Sequence, residues 1–160
     1  MLKLDKIWRS NLPRNLKIRF FRATIESILL YGSESLTMTA TMEKEIDGCY
    51  TRLLRHALNI HWTQHITNIN LYHELPKISS TIRQRRLRFA GHCYRATNEN
   101  AHQVLFWNPP TTNRKRGRPA TTFIRTIQND TGLETDELQT AMLNRDVWGA
   151  IAVVRASPTK

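Results

Sequence analysis

Apolar residues recur every three or four positions along most of this chain, which is the spacing of amphipathic helices. The pattern predicts three long helices, near residues 14–30, 42–58 and 80–95. The first carries enough apolar positions to predict a mostly buried helix, and the second has the most regular spacing. No segment alternates apolar and polar residues as a half-buried strand does. The sequence therefore predicts a mostly α fold, a small helical bundle with a basic irregular loop and short C-terminal helices.

Capping residues predict where several helices begin and end. Thr41 is the predicted N-cap of the second long helix. Thr67 is the predicted N-cap of a short helix that ends near Leu75, because Pro76 disfavours helix in the residue before it. Gly132 is predicted to end a later short helix, since glycine adopts the left-handed conformation of a C-terminal cap at little cost.

The periodicity also divides the chain into segments. It predicts three of them: a helical region over 1–96, a basic linker over 97–120 and a short C-terminal helical segment over 121–160. Within the linker, only the run 104–107 offers an apolar anchor. In the last segment, Thr135 opens one predicted helix and Asp146 caps another.

Membrane and disulfide chemistry are not expected. The 160 residues contain no run of about 18 apolar positions, and the N-terminus lacks the apolar core of a signal peptide. We expect an intracellular protein with no membrane partner and no small-molecule substrate. Cys49 and Cys93 are then expected to stay reduced and to act as small core residues.

Positive charge is concentrated in one part of the chain. The net charge is +11 at pH 7, and the stretch from Arg83 to Arg118 holds nine basic residues against a single acid, Glu99. That stretch therefore supplies +8 of the total. A field this concentrated favours a polyanionic partner, and a phosphate backbone is the commonest polyanion that proteins bind.

The first basic element lies on the helix predicted over 80–95. A rotation of about 100° per residue places Arg85, Arg88 and Arg95 on one side and most apolar residues on the other. Arg83 and Arg86 fall inside the apolar side. An arginine there has to extend to solvent, pair with a carboxylate or meet a ligand, because an unpaired buried guanidinium is too costly.

The second basic element is the run 114–119, Arg-Lys-Arg-Gly-Arg-Pro. Arg-Gly-Arg-Pro is the core of the AT-hook, whose arginines enter the narrow minor groove of A·T-rich DNA. A solvated basic linker and a nuclear-import signal satisfy the same letters. With the basic helix beside it, nucleic-acid binding is the favoured interpretation.

The predicted contacts follow from these two elements. The predicted nucleic-acid-binding residues are Arg83, Arg85, Arg86, Arg88, Arg95, Arg114, Lys115, Arg116 and Arg118. Trp62 and Trp107 are candidates for stacking on bases, although anchoring in the core is the favoured role for both. RNA, DNA and their hybrid remain open as the ligand.

Catalytic and metal-binding patterns are missing from the sequence. The thirteen acidic residues are scattered, with no Asp-Asp dipeptide and no Glu-x-Lys, and the six histidines and two cysteines form no Cys-x-x-Cys. We therefore predict no catalytic residue, no metal ligand and no cofactor in this chain. An enzyme completed by another chain stays open as an alternative.

Five short motifs, in order, resemble the region that follows the polymerase core in non-LTR (LINE-like) retrotransposon endonuclease-reverse transcriptases. The first is Leu-Leu-Tyr-Gly-Ser-Glu-Ser, similar to the family's Leu-Leu-Tyr-Gly-x-Glu-[Thr/Ser]. The matching stretches lie within 28–35, 53–62, 83–92, 116–123 and 145–148. Ser33 stands where many relatives carry Cys, and Phe89 where Trp is frequent.

The resemblance implies a thumb-like region over 1–96 that clamps nucleic acid during target-primed reverse transcription in the nucleus. It implies DNA or RNA as partners, together with a reverse-transcriptase palm, and Mg²⁺ only for the full-length polymerase. Because the paired palm aspartates and the endonuclease are not among these residues, the chain is expected to be an inactive C-terminal fragment. The alternative is a domesticated AT-hook-like DNA-binding regulator.

Overall fold

The protein is mostly α-helical in the computed structural model, which describes residues 4–73, 75–97, 100–107, 117 and 122–156. Every regular element in these ranges is a helix, so the predicted fold class is confirmed. The helices are α1 (Asp5–Trp8), α2 (Arg14–Phe21), α3 (Ser27–Leu29), α4 (Ala40–Ala57), α5 (Asn68–Tyr72), α6 (Ile78–Arg95), α7 (Asn100–Leu105), α8 (Phe123–Thr131), α9 (Thr135–Leu143) and α10 (Arg145–Ala156). None of these helices is long and apolar enough to span a bilayer.

The long helices lie where the periodicity predicts them, with differences at their ends. A π-helical turn, Arg22–Glu26, joins α2 to α3 within the first predicted helix. The N-cap of α4 is Thr39, not Thr41: its hydroxyl oxygen accepts from the Met42 N–H at 3.3 Å. Two threonines stand two residues apart here, and the pattern alone does not distinguish them.

The shorter helices show both agreement and correction. Thr67 caps α5 and Gly132 ends α8 in the left-handed conformation, with φ at 69°, both as predicted. The predicted cap at Asp146 is wrong, because the Asn144 side-chain oxygen accepts from the N–H groups of Asp146 and Val147. The helix α7 lies inside the segment predicted to be an irregular linker.

The chain forms two compact units. Unit 1 comprises Met1–Ser33 and Met38–Ser79, and unit 2 comprises Glu34–Thr37 and Ser80–Lys160. The division falls near the start of α6, so the boundary predicted after residue 96 is not where the chain divides. The reason is that most of α6 shares its core with the C-terminal helices, which the linear pattern assigns to a separate segment.

Unit 1 has a core in which Tyr50 is central. Its ring packs edge-on against Phe21, with centroids 5.3 Å apart, and stacks on Tyr72 at 6.1 Å. The Tyr50 hydroxyl donates to the Glu26 carboxylate at 2.9 Å, which satisfies a buried polar group. Lys17 is also buried, and its ammonium donates to the Trp8 carbonyl at 2.7 Å.

Unit 2 has a core that α6, α8, α9 and α10 share. Its buried residues are Leu87, Ala90, Ile127, Leu138, Met142, Trp148 and Ala152. The Trp148 indole N–H donates to the Leu87 carbonyl at 2.6 Å. The indole lies against Gly91, where an added Cβ would overlap the ring, so glycine allows α10 to approach α6 closely.

Several burial predictions are wrong. Phe20 and Ile28 of the first predicted helix are 43% and 76% exposed, because the core side of that helix is formed by neighbours such as Phe21. Cys49 is exposed, whereas Cys93 is buried as predicted. When apolar residues occur on both sides of a helix, the sequence does not show which side the rest of the protein will cover.

Candidate nucleic-acid interface

The first turn of the basic helix α6 is bound by a carboxylate of α4. Ser79 donates its backbone N–H and its hydroxyl to the two carboxylate oxygens of Asp47, at 3.0 and 2.8 Å. A carboxylate at this position also stabilises the positive end of the helix dipole. Asp47 thus fixes the first turn of the helix that carries most of the predicted arginines.

Two of those arginines point into unit 2 and share one carboxylate. The Asp130 side chain on α8 lies 3.4 Å from Arg83 Nε and 3.4 Å from Arg86 Nη1. Arg86 is only 2% exposed and Asp130 is 11% exposed. Of the three fates open to an arginine on the apolar side, both residues take the second, pairing with a carboxylate.

Arg86 therefore has to be reassigned from the predicted contacts to the core. A phosphate on the surface cannot reach a side chain that is 2% exposed unless the pair with Asp130 opens. Removing one partner of such a pair leaves a buried charge uncompensated. Arg86 joins α6 to α8, and Arg83, whose side chain is 21% exposed, is restrained by the same carboxylate.

Arg95 lies between the two sides of the helix. Its Nη1 donates to the Met142 carbonyl at 2.7 Å, near the C-terminal end of α9. A guanidinium placed there also stabilises the negative end of that helix. The predicted grouping of Arg95 with the solvent-facing arginines is therefore only partly right, since its side chain is half-buried.

The outward side of α6 carries Arg85, Arg88 and His92, all exposed. Arg85 Nη1 lies 3.7 Å from the Glu34 carboxylate, in a pair whose side chains are 44% and 30% exposed. An exposed pair of this kind contributes about 0–1 kcal/mol, so a phosphate can replace Glu34 at little cost. The spacing of these residues places them in one row along the helix.

The basic run itself lies largely outside the described residues. Arg114, Lys115, Arg116 and Arg118 are all outside, and only Gly117 of that run is described, as exposed.

The described residues that flank the basic run belong to unit 2. The rings of Phe106 and Phe123 lie 6.3 Å apart, and Phe106 also packs on Tyr94 of α6 at 5.3 Å. His102 closes the cluster, with its ring 5.2 Å from Phe106 and its Nδ1 3.0 Å from the Cys93 carbonyl. The described residues on both sides of the basic run therefore belong to one compact unit.

The two candidate stacking residues are both exposed. Trp62 is 77% exposed and Trp107 is 63% exposed, so the favoured prediction of core anchoring is wrong for both. Trp62 lies in a 3-10 turn, Trp62–Gln64, beside the ring of His61. Large exposed aromatic side chains are the residues that stack on unpaired bases.

Among the described residues, no group of three or more His, Cys, Asp or Glu could hold a metal ion.

Comparisons with known proteins identify no relative of this chain. No family model, no curated protein and no solved structure matches the chain.

Proposed function

We propose that this chain binds nucleic acid through the outward side of α6, in concert with the basic run 114–118. The observation that carries the proposal is the row of exposed basic side chains on α6, formed by Arg85 and Arg88 with His92 one turn further on. Exposed arginines bind phosphates with little regard to sequence. Arg83 is held by Asp130 and Arg95 by the Met142 carbonyl, so both would contribute to binding mainly through their positive charge.

The order of the five sequence motifs supports a more specific proposal. The chain would be the C-terminal part of a non-LTR retrotransposon reverse transcriptase, placed after the polymerase core and acting as a clamp in the nucleus. Its nucleic-acid ligand would then be the template or the target, and a reverse-transcriptase palm would be its protein partner. The clamp would hold nucleic acid, while catalytic Mg²⁺ would belong to the polymerase core.

Fluorescence anisotropy tests the proposal with three labelled ligands: an A·T-rich duplex, a G·C-rich duplex and an RNA–DNA hybrid. Each is titrated at about 50 and 200 mM salt, because phosphate contacts lower the affinity over this range. We expect a steep salt dependence with similar affinities for the three. The slope of log K against log salt is negative, and in the variant R85Q/R88Q its magnitude should decrease by about 2.

A matched control variant is R19Q/R52Q, which removes two exposed arginines from unit 1. It changes the net charge by the same amount but leaves α6 intact, so we expect a salt slope close to that of the unchanged protein. Equal losses in the two variants would show that net charge alone drives binding. No binding by a folded sample would overturn the proposal.

The sequence Arg-Gly-Arg-Pro at 116–119 favours a second candidate function, an AT-hook-like DNA-binding regulator. This function predicts a marked preference for the A·T-rich duplex that disappears in the variant R116Q/R118Q. Primer extension by the chain with a divalent metal would instead establish the enzyme alternative.

A further inference from the structure

Unit 1 contains a pocket that the proposed function does not use. It has a volume of about 180 Å³, well above the ~10–15 Å³ that one water molecule requires. Its lining brings together α1, the end of α4 and the turn that follows α4. The lining includes Asp5, Trp8, Arg9, Arg55, His56 and His61.

Hydrogen-bond donors dominate this lining. Arg9 is exposed, and Arg55 is fixed through Nη2, which donates to the Ile66 carbonyl at 2.7 Å and to the Asn68 side chain at 2.8 Å. Within the described ranges, no residue bonds the Nε or Nη1 of Arg55. Two guanidinium groups against the single carboxylate of Asp5 leave the pocket positive even with both histidines neutral.

A second observation at the same pocket concerns Trp8. This residue is 1% exposed, and its indole N–H has no hydrogen-bond partner among the residues that the structure describes. A buried donor without an acceptor is costly, and each such group in a folded protein calls for an explanation. The Asp5 Oδ1, in the same lining, is also buried without a hydrogen-bond partner among the described residues, so the lining holds two unsatisfied buried polar atoms.

The pocket lies next to the exposed Trp62. His61 lines the pocket and also contacts the Trp62 ring, with centroids 5.7 Å apart. The His61 ring is oriented by Thr63, whose hydroxyl lies 3.0 Å from His61 Nδ1. A cationic cavity beside an exposed aromatic ring is the combination that binds single strands, since the phosphate enters the cavity and the base stacks on the ring.

We propose that unit 1 carries a single-stranded nucleic-acid site in which this pocket takes a backbone phosphate and Trp62 stacks on the adjacent base. The phosphate oxygens accept from Arg9 and Arg55. Asp5, whose Oδ1 lies 3.6 Å from His56 Nε2, faces that imidazole and not an arginine. The site uses neither α6 nor the run 114–118, so it stands independently of the proposed function.

The test is fluorescence anisotropy of the full chain with labelled oligo(dT) and oligo(U) of about 12 nucleotides, within the usual site size for single strands. The variant Trp62→Ala should weaken binding by about 5-fold or more, the range expected for losing one stacked base. Arg9→Gln should weaken binding and reduce the magnitude of the salt slope by about 0.7, the value for one phosphate contact on a single strand. Both side chains are exposed, so neither variant should unfold the chain.

Two control variants match these changes. Ile69→Ala removes another apolar side chain that is 84% exposed, and Arg19→Gln removes an exposed arginine outside the pocket. Both should leave the affinity for single strands unchanged. Losses as large as those of Trp62→Ala and Arg9→Gln would overturn the proposal.

Competition with inorganic phosphate and with a 5′-mononucleotide distinguishes a strand site from a site for free phosphate. The proposal predicts that both compete weakly and that an unlabelled oligonucleotide competes well. Strong competition by either small ligand would overturn it. R85Q/R88Q should lower duplex binding and leave single-strand binding intact, so failure of this site and failure of the α6 interface give different results.

Discussion

The two sides of α6 use the same residue type for opposite purposes. On the inner side, Arg86 is 2% exposed and shares the Asp130 carboxylate with Arg83. On the outer side, Arg85 and Arg88 are exposed, and the guanidinium of Arg85 lies 3.7 Å from the half-exposed Glu34 carboxylate. A run of arginines is therefore not one functional unit, because packing decides which of them can meet a ligand.

The two sides also differ in energy. Removing one partner of a buried ion pair costs about 3–5 kcal/mol, whereas an exposed pair contributes about 0–1 kcal/mol. The inner arginines should therefore control folding and the outer ones binding. Changes on the inner side of α6 should therefore have the largest effects on stability.

The largest effect is expected for Asp130→Ala. The change leaves Arg83 and Arg86 without their shared carboxylate, so the free energy of unfolding should fall by about 3–5 kcal/mol. Urea denaturation followed by circular dichroism measures it. The control, Asp136→Ala, removes an exposed acid in the first turn of α9 and should cost less than about 1 kcal/mol. Equal costs would show that Asp130 is not a buried partner.

The next effect concerns the contact between α6 and α10. In Gly91→Ala the new Cβ would overlap the Trp148 indole, so we expect a loss of about 1–3 kcal/mol or more. Gly149→Ala is the matched control, because it lies within α10 with open space around its Cα and should stabilise the helix by about 0.5–1 kcal/mol. Thermal melting of the two variants should thus shift in opposite directions. A neutral Gly91→Ala would mean that the two helices are not held this closely.

A smaller effect is expected in unit 1. The buried polar pair there joins a neutral hydroxyl, that of Tyr50, to the Glu26 carboxylate, whereas the inner side of α6 pairs two charged groups. Burial, together with the nearby Glu26 carboxylate that accepts its hydrogen bond, raises the pKa of Tyr50 above its usual value of about 10. Its contribution to stability is complete below pH ~10 and is lost as the pH rises above that value, because the unfolded tyrosine ionises first.

Tyr50→Phe should therefore cost about 1 kcal/mol near neutral pH, from the lost hydrogen bond to Glu26. Denaturation at pH 8 and pH 11 measures the pH dependence, and we expect the unchanged protein to lose more stability than the variant between the two. An identical decline in both proteins would show that Tyr50 is not responsible for it.

The sequence predicted the helices well and the partners poorly. The regular apolar spacing fixed α4 and α6, and local capping chemistry fixed Thr67 and Gly132, because these features depend on neighbours within one or two turns. The two fates of the α6 arginines depend on Asp130, which lies on another helix far along the chain. A helical wheel shows that Arg83 and Arg86 face inward, but it does not show what they meet.

The candidate sites show the same limit. Trp62 was expected in the core because tryptophan usually is, yet the short turn Trp62–Gln64 exposes its ring. The pocket in unit 1 was missed entirely, since Arg9 and Arg55 lie 46 positions apart and only the fold brings them together. Trp62 was also named as a candidate for base stacking, which stays a prediction, but no neighbouring pocket was predicted.

The most direct test of the central claim compares Arg86→Met with Arg88→Gln, because each variant removes one charge from α6. Met fills the space of the buried stem and leaves Asp130 paired with Arg83, so the loss of stability should be smaller than in Asp130→Ala and the variant can be assayed in its folded state. Duplex binding at several salt concentrations is then measured for both. We expect the magnitude of the salt slope to decrease by about 1 in Arg88→Gln and to stay unchanged in Arg86→Met. Equal falls in both variants would contradict it, because the charge of the whole run, and not its outer side, would then drive binding.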